Sequence, residues 1–281
     1  MDRLRVLKGH GTENDFVIVP DLDGILDLTP ELTRALCDRH SGIGADGVLR
    51  VVRSENVPES SQMSSEAPYF MDYRNADGSV ASMCGNGVRV FVRYLQAVGV
   101  VDDYAAVATR GGVKRTWLTD EGDVIVDMGK PLALADRPVA TAALSIDAVP
   151  SVAVEMPNPH VVVPVPTRAD LDALDLTRPP LIEPSRPDGQ NVEFVVPVGP
   201  RHLAMRVHER GVGETRSCGT GICAAVVAAP DARPDGSTWQ VDAPGGTCQV
   251  TWQADGSLHL RGPAVLVGEI ELDPAWLDRV R

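Results

Sequence analysis

The sequence predicts an α+β protein of two similar domains, each an antiparallel sheet curled round one helix. Three observations carry that prediction. Short apolar runs bounded by Gly, Pro, Asn and Asp recur along the 281 residues while few stretches have helical spacing, so the regular strand and helix alternation of a parallel sheet is missing. Two cysteines, Cys84 and Cys218, each precede a Gly-x-Gly and open an apolar helical stretch. Aligning the chain with itself on those cysteines, at an offset of 218 − 84 = 134 residues, brings further landmarks into register.

Taken in order, an apolar strand over 4–7 and a second over 16–19, closed by Pro20, flank the polar loop Gly9-His10-Gly11-Thr12-Glu13-Asn14-Asp15. Thr29 and Pro30 read as the cap and first residue of a short helix reaching Leu36. His40-Ser41-Gly42-Ile43-Gly44-Ala45-Asp46-Gly47 then turns into a strand over 48–52. Residues 54–68, rich in Ser, Glu and Pro, read as a flexible surface loop. A strand over 69–74 leads through the turn Asn75-Ala76-Asp77-Gly78-Ser79 to Met83-Cys84-Gly85-Asn86-Gly87. Val88, Phe91, Val92, Leu95 and Val98 follow at helical spacing, and Gly99 ends the helix. A strand after Gly112, the turn Asp120-Glu121-Gly122 and a strand over 124–128 complete the half. The Pro-rich 131–138 marks a linker. Short strands over 151–156, 161–165, 192–197 and 203–207 precede the second cysteine, and a last strand is expected over 268–272.

At the 134-residue offset, Gly85 falls on Gly219, Gly87 on Gly221, Gly111 and Gly112 on Gly245 and Gly246, Gly122 on Gly256, and Val124 and Val126 on Leu258 and Leu260. A duplicated unit of helix, glycine turn and hairpin leaves such a trace. The expected domains are residues 1–130, with the first cysteine, and 131–263, with the second. The C-terminal strand within 264–281 is placed so that it can return to the first.

A net charge of −13, from 26 Lys and Arg against 39 Asp and Glu, excludes a polyanionic partner such as nucleic acid. The opening residues have no signal-peptide core and no later run approaches the about 20 apolar residues of a membrane span, so a cytoplasmic protein with no membrane partner is expected. Cys37, Cys84, Cys218, Cys223 and Cys248 form no CxxC pair and no metal-ligand spacing; free thiols are expected, and no metal. Cys37, Cys223 and Cys248 read as buried structural residues.

Cys84 and Cys218 read differently. Amides at a helix start carry partial positive charge and favour a thiolate, and glycines leave them open to a ligand. If the halves pack about a pseudo-two-fold axis, one thiolate and one thiol face a small substrate from opposite sides. That is the arrangement a two-base epimerisation needs, with one group removing an α-proton and the other delivering one to the far face. Backbone amides of Gly85, Asn86, Gly219 and Thr220 are candidates to hold the substrate carboxylate. No pyridoxal lysine motif, phosphate loop or dinucleotide fingerprint is present, so no cofactor is expected.

The ordered set Gly11-Thr12-Glu13-Asn14-Asp15-Phe16, Asn75-Ala76-Asp77-Gly78-Ser79, Met83-Cys84-Gly85-Asn86-Gly87, Asn158-Pro159-His160, Asn191-Val192-Glu193, Glu209-Arg210-Gly211-Val212-Gly213-Glu214-Thr215 and Cys218-Gly219-Thr220-Gly221 covers nearly the whole chain. It resembles the diaminopimelate epimerases, of the actinobacterial type. The resemblance implies a cofactor-independent isomerase interconverting LL- and meso-2,6-diaminopimelate on the route to lysine and peptidoglycan. It also implies a homodimer whose two pseudo-symmetric domains are each a barrel wrapped around a central helix. It makes Cys84 and Cys218 the acid and base pair, His160 and Glu209 residues that support catalysis, and Asn14, Asn75, Asn158, Asn191, Glu209 and Arg210 substrate contacts. Three departures stand out: Gly47 where many members have Gln, Met156-Pro157 before Asn158 where a glycine is usual, and Pro230 cutting the second helix short. Two rivals remain, a proline racemase or hydroxyproline epimerase of the same architecture and, from another class, a thiol redox or binding protein.

Overall fold

In the computed structural model, residues 4–134, 138–141 and 149–280 are described. Residues 1–3, and residues 135–137 of the expected linker, lie outside them. The chain divides into two compact units, Met1–Val126 with Pro263–Arg281, and Asp127–Gly262.

The first unit contains β1 (Arg5–Gly11), β2 (Asn14–Pro20), α1 (Pro30–Cys37), β3 (Gly47–Arg53), β4 (Tyr69–Asn75), α2 (Gly85–Ala97), β5 (Tyr104–Ala108), β6 (Lys114–Leu118) and β7 (Asp123–Gly129). The C-terminal strand Val265–Glu271 pairs antiparallel with β1, which puts the end of the chain back in the first unit. From that strand the order runs through β1 to β7 in sequence, each strand beside the next. Two of these pairings, β2 with β3 and β4 with β5, are parallel. The sheet is therefore mixed, and the reason is visible in the chain: α1 and α2 are the crossovers that parallel neighbours require.

The second unit contains β8 (Leu132–Ala133), β9 (Val139–Thr141), β10 (Val149–Pro150), β11 (Val152–Glu155), β12 (Pro159–Pro164), α3 (Arg168–Asp172), β13 (Leu181–Glu183), β14 (Asn191–Gly199), β15 (His202–Glu209), β16 (Gly213–Thr215), α4 (Gly219–Val227), β17 (Thr238–Ala243), β18 (Gly246–Trp252) and β19 (Leu258–Pro263). Its main sheet runs β8, β11, β12, β14, β15, β17, β18, β19, with β12 to β14 and β15 to β17 parallel and the rest antiparallel. The two units thus share one strand order with the same sequence of relative directions, and in each a cysteine-headed helix connects the fifth strand of that order to the sixth. The strands β9, β10 and β13 form a small separate sheet.

Each helix is central to its unit. Residues 85–92 of α2 are all buried, and the helix touches β1 to β6 and the C-terminal strand. Gly99, at φ +72, closes it with the left-handed residue that a side chain would strain. In α4, residues 219–226 are buried and Ala228 caps the end, two residues before Pro230, as the sequence anticipates.

Some segments are more ordered than their composition suggests. The 54–68 stretch holds two 3₁₀ turns, with Ser54 and Ser60 fully buried and their hydroxyls donating to the Ala67 and Ser54 carbonyls. Gly47 sits where an added Cβ would lie 2.5 Å from the Arg74 carbonyl oxygen and 2.7 Å from the Tyr73 ring, so no larger residue fits without a backbone shift. At the start of α1, Thr29 Oγ1 accepts from Leu32 N at 3.1 Å. Thr29→Ala should lower stability by about 1 kcal/mol in urea unfolding, the usual loss for a capping side chain, and an unchanged midpoint would remove the cap from the account.

Candidate active site

In the first unit the hairpin between β1 and β2 turns on Thr12 and Glu13, both left-handed at φ 50 and 59. This two-residue turn delivers Asn14 to the first position of β2. Asn14 lies under the start of α2, where its Oδ1 accepts from the Cys84 thiol at 3.6 Å and from Asn86 Nδ2 at 3.3 Å. Cys84 is the N-cap of α2 and its sulfur accepts from Gly87 N at 3.4 Å. Arg89, fully buried one turn on, donates to Asn86 Oδ1 at 2.6 Å and Thr12 Oγ1 at 3.0 Å. Asn75, at the end of β4, pairs across the sheet with Gly47 and donates to Ser79 Oγ at 3.0 Å.

The second unit repeats this plan with different side chains. His160 pairs with Asn191 as Phe16 pairs with Gly47, and Val192 pairs with His208, which brings Asn191 and Glu209 to one edge as Gly47 and Asn75 are. Cys218 is the N-cap of α4 and is 6% exposed. Asn191 Nδ2 donates to its sulfur at 3.7 Å, and Thr220 Oγ1 lies 3.4 Å away. The Glu209 carboxylate accepts from Thr215 Oγ1 and from Cys218. Arg210 contributes its backbone N–H to Asn191 Oδ1 at 3.0 Å, while its guanidinium reaches the Asp188 carbonyl at 3.1 Å.

Beneath Cys218, at the strand position that Leu49 occupies in the first unit, stands Glu193. It and His160 are fully buried side chains joined Oε1 to Nδ1 at 2.7 Å, and His160 Nε2 lies 3.1 Å from Asn158 Oδ1. The second carboxylate oxygen of Glu193 is buried with no hydrogen-bond partner among the described residues. Burial pushes the Cys218 thiol well up, and the charges of Glu209 and Glu193 add to it. Burial likewise pushes Glu209 up, against the hydrogen bonds from Thr215 and Cys218. This half is thus a dry, anion-rich site in which a thiolate is costly until donors or a bound cation offset it.

The structure gathers Cys84, Asn14, Gly85 and Asn86 in one unit, and Cys218, Asn158, His160, Asn191, Glu209, Gly219 and Thr220 in the other. Asn75 and the Arg210 guanidinium stand at the margins of these groups. Reasoning from sequence passed over Glu193, Asp46, Arg89 and Thr215. Glu193 was within reach, since it lies two residues from Asn191 on a strand and therefore on the same face. All five cysteines are thiols rather than disulfides, and Cys37, Cys223 and Cys248 are buried in the core as their surroundings suggested. Among the described residues no group of three or more His, Cys, Asp or Glu could hold a metal ion, and no helix is long and apolar enough to cross a membrane.

The fold of this chain recurs in several solved structures. A hydroxyproline epimerase from Agrobacterium vitis aligns with a TM-score of 0.68 at 15% identity, covering 97% of this chain and 94% of that one. A phenazine biosynthesis protein of the PhzF family from Bacillus anthracis aligns at 0.67 and 16%, covering 97% and 100%. These share the fold. Sequence is more specific: the profile described as diaminopimelate epimerase matches residues 6–134 and 152–267. The diaminopimelate epimerase of Streptomyces coelicolor is 55% identical over 99% of this chain and 98% of its own length, and that of Thermobifida fusca is 47% identical over 95% and 97%. The chain belongs to the diaminopimelate epimerase family and is an isomerase.

Proposed function

We propose that this enzyme interconverts LL- and meso-2,6-diaminopimelate, in lysine and peptidoglycan precursor synthesis, by exchanging protons at one α-carbon between Cys84 and Cys218 with no added cofactor. The observation that carries the reading is the repeat itself: each unit sets a cysteine as the N-cap of a buried central helix, beside the amides of the next two residues. A proton leaves the α-carbon to a thiolate and another arrives from the opposing thiol, so the stereocentre inverts and the two cysteines exchange protonation states. The carbanion builds charge beside an existing carboxylate, and the amides of Gly85, Asn86, Gly219 and Thr220 are the groups that would receive it. Asn14, Asn75, Asn158, Asn191, Glu209 and Arg210 bind the substrate in this reading, and Glu209 and His160 tune Cys218. The protein would act as a cytoplasmic homodimer.

Turnover of LL-diaminopimelate in deuterated water tests this. The epimerised product should carry one α-deuterium with no cofactor added. Racemisation of proline with no action on diaminopimelate would replace the reading by the proline racemase one.

A further inference from the structure

Two asparagine amides touch the two cysteines and present opposite ends to them. In the first unit Asn14 Nδ2 donates to Asp46 Oδ2 at 2.8 Å. A carboxylate can only accept, so the oxygen end of Asn14 is turned the other way, onto the Cys84 thiol and Asn86 Nδ2. Asn86 is oriented independently from its far end, because Arg89 can only donate and does so to Asn86 Oδ1. The donors therefore run in one direction from Arg89 through Asn86 and Asn14 to Asp46, and no amide in the series can reverse by itself. In the second unit Asn191 is fixed in the opposite sense: its oxygen takes the Arg210 backbone N–H, which leaves Nδ2 for Cys218. An acceptor favours the protonated sulfur and a donor favours the anion.

We propose that Asp46 is a positioning residue for Cys84: by taking the Asn14 N–H it holds the Asn14 carbonyl oxygen on the sulfur and so favours the protonated Cys84 thiol. This rests on the two-cysteine reading above. The groups around Asp46 are built to keep it there. Arg39, from the loop after α1, donates to Asp46 Oδ1 at 2.8 Å and pairs with Asp15 of β2, whose backbone N–H donates to Asp46 Oδ2 at 3.2 Å. Lys8 of β1 closes the cluster on Asp15. Burial would raise Asp15, but hydrogen bonds from Arg39 and Lys8 outweigh it and hold it at about 2. Burial and that neighbouring charge push Asp46 up, and the hydrogen bonds from Asn14 and the Asp15 backbone, with the Arg39 charge, work against the rise. From α2, Arg89 reaches the same cluster through three hydrogen bonds, by way of Asn86 and Asn14.

The test is the pH dependence of iodoacetamide alkylation of Cys84 in substrate-free protein, read by peptide mass spectrometry with Cys218 in the same sample as reference. In Asp46→Ala the Asn14 amide keeps only its Asn86 contact and can swing its oxygen off the Cys84 sulfur. The Cys84 midpoint should fall by about one pH unit, seen as about ten-fold faster alkylation below the midpoint, with Cys218 unchanged. Asp46→Asn keeps a carbonyl for Asn14 and should restore the wild-type midpoint. An unchanged Cys84 midpoint in Asp46→Ala overturns the proposal, and so does an equal shift at both cysteines, which would mean general loosening. If Asp46→Ala does not fold, Asn14→Ala removes the acceptor directly and its Cys84 midpoint is read in the same way. Alkylation needs no turnover, so its failure leaves the two-cysteine reading standing, while active Cys84→Ala enzyme would end that reading whatever the midpoint.

Discussion

Cys84→Ala and Cys218→Ala should each lose at least about 10³-fold in kcat for diaminopimelate in both directions, within the range that removing a positioned acid or base costs. Each variant retains a group for one face of the α-carbon and lacks one for the other, so neither can invert it. Wild-type activity should follow a bell-shaped pH profile, because the pair works only when one sulfur is ionised and the other is not. Burial and the two carboxylates push the Cys218 thiol up, so the rate should rise as pH climbs from neutrality and fall once both sulfurs are ionised. Cys37→Ala is the control. Burial pushes that thiol up to about 12 and it is the last residue of α1, turned into the core, so its loss should affect stability and leave kcat within about two-fold. Turnover by either active-site variant within about ten-fold of wild type would sink the two-base assignment.

The cysteine pair was legible because the offset of 134 is uninterrupted from Asn75 onward, where 209 − 75 gives the same value. Upstream the true offset is 144: Asn14 matches Asn158, Phe16 matches His160 and Gly47 matches Asn191 by strand register. The ten additional residues lie between β3 and β4, where the Ser- and Glu-rich 54–68 segment replaces the tight turn between β14 and β15. Nothing in that segment announces an insertion, so the equivalence of Gly47 with Asn191 and of Asn75 with Glu209 emerges only from pairing. Asp46 and Arg89 were illegible for a related reason. A charged residue reads as surface until burial and partners are known, and each of these has a partner distant in sequence: Asn14 for Asp46 and Thr12 for Arg89. The closing helix Pro274–Val280 was missed although its signal was present, since Asp273 Oδ1 accepts from Ala275 N at 2.7 Å as a capping side chain does.

Gly221→Ala should be the most damaging single-methyl change in the second unit. A Cβ there would stand 2.6 Å from Glu193 Oε1 and 3.1 Å from its Cγ, closer than real contacts allow. The oxygen it meets is the one that holds His160 Nδ1. The matched Gly87 shows why the penalty is local to this half: its added Cβ would lie 3.2 Å from a Leu49 methyl and 3.6 Å from the Phe16 ring, apolar groups that can give by a few tenths of an ångström. Glu193 has no such latitude, because both it and His160 are sealed from water and moving the carboxylate strips the ring of its partner. Displacing one member of a buried pair should cost about 3 kcal/mol in urea unfolding, and shifting His160 should lower kcat by about 10²-fold with a smaller effect on KM. Gly87→Ala should lose about ten-fold less activity than Gly221→Ala under the same assay. Equal losses in the two variants would show that the glycines serve only close approach to substrate, and would remove Glu193 and His160 from the support of Cys218.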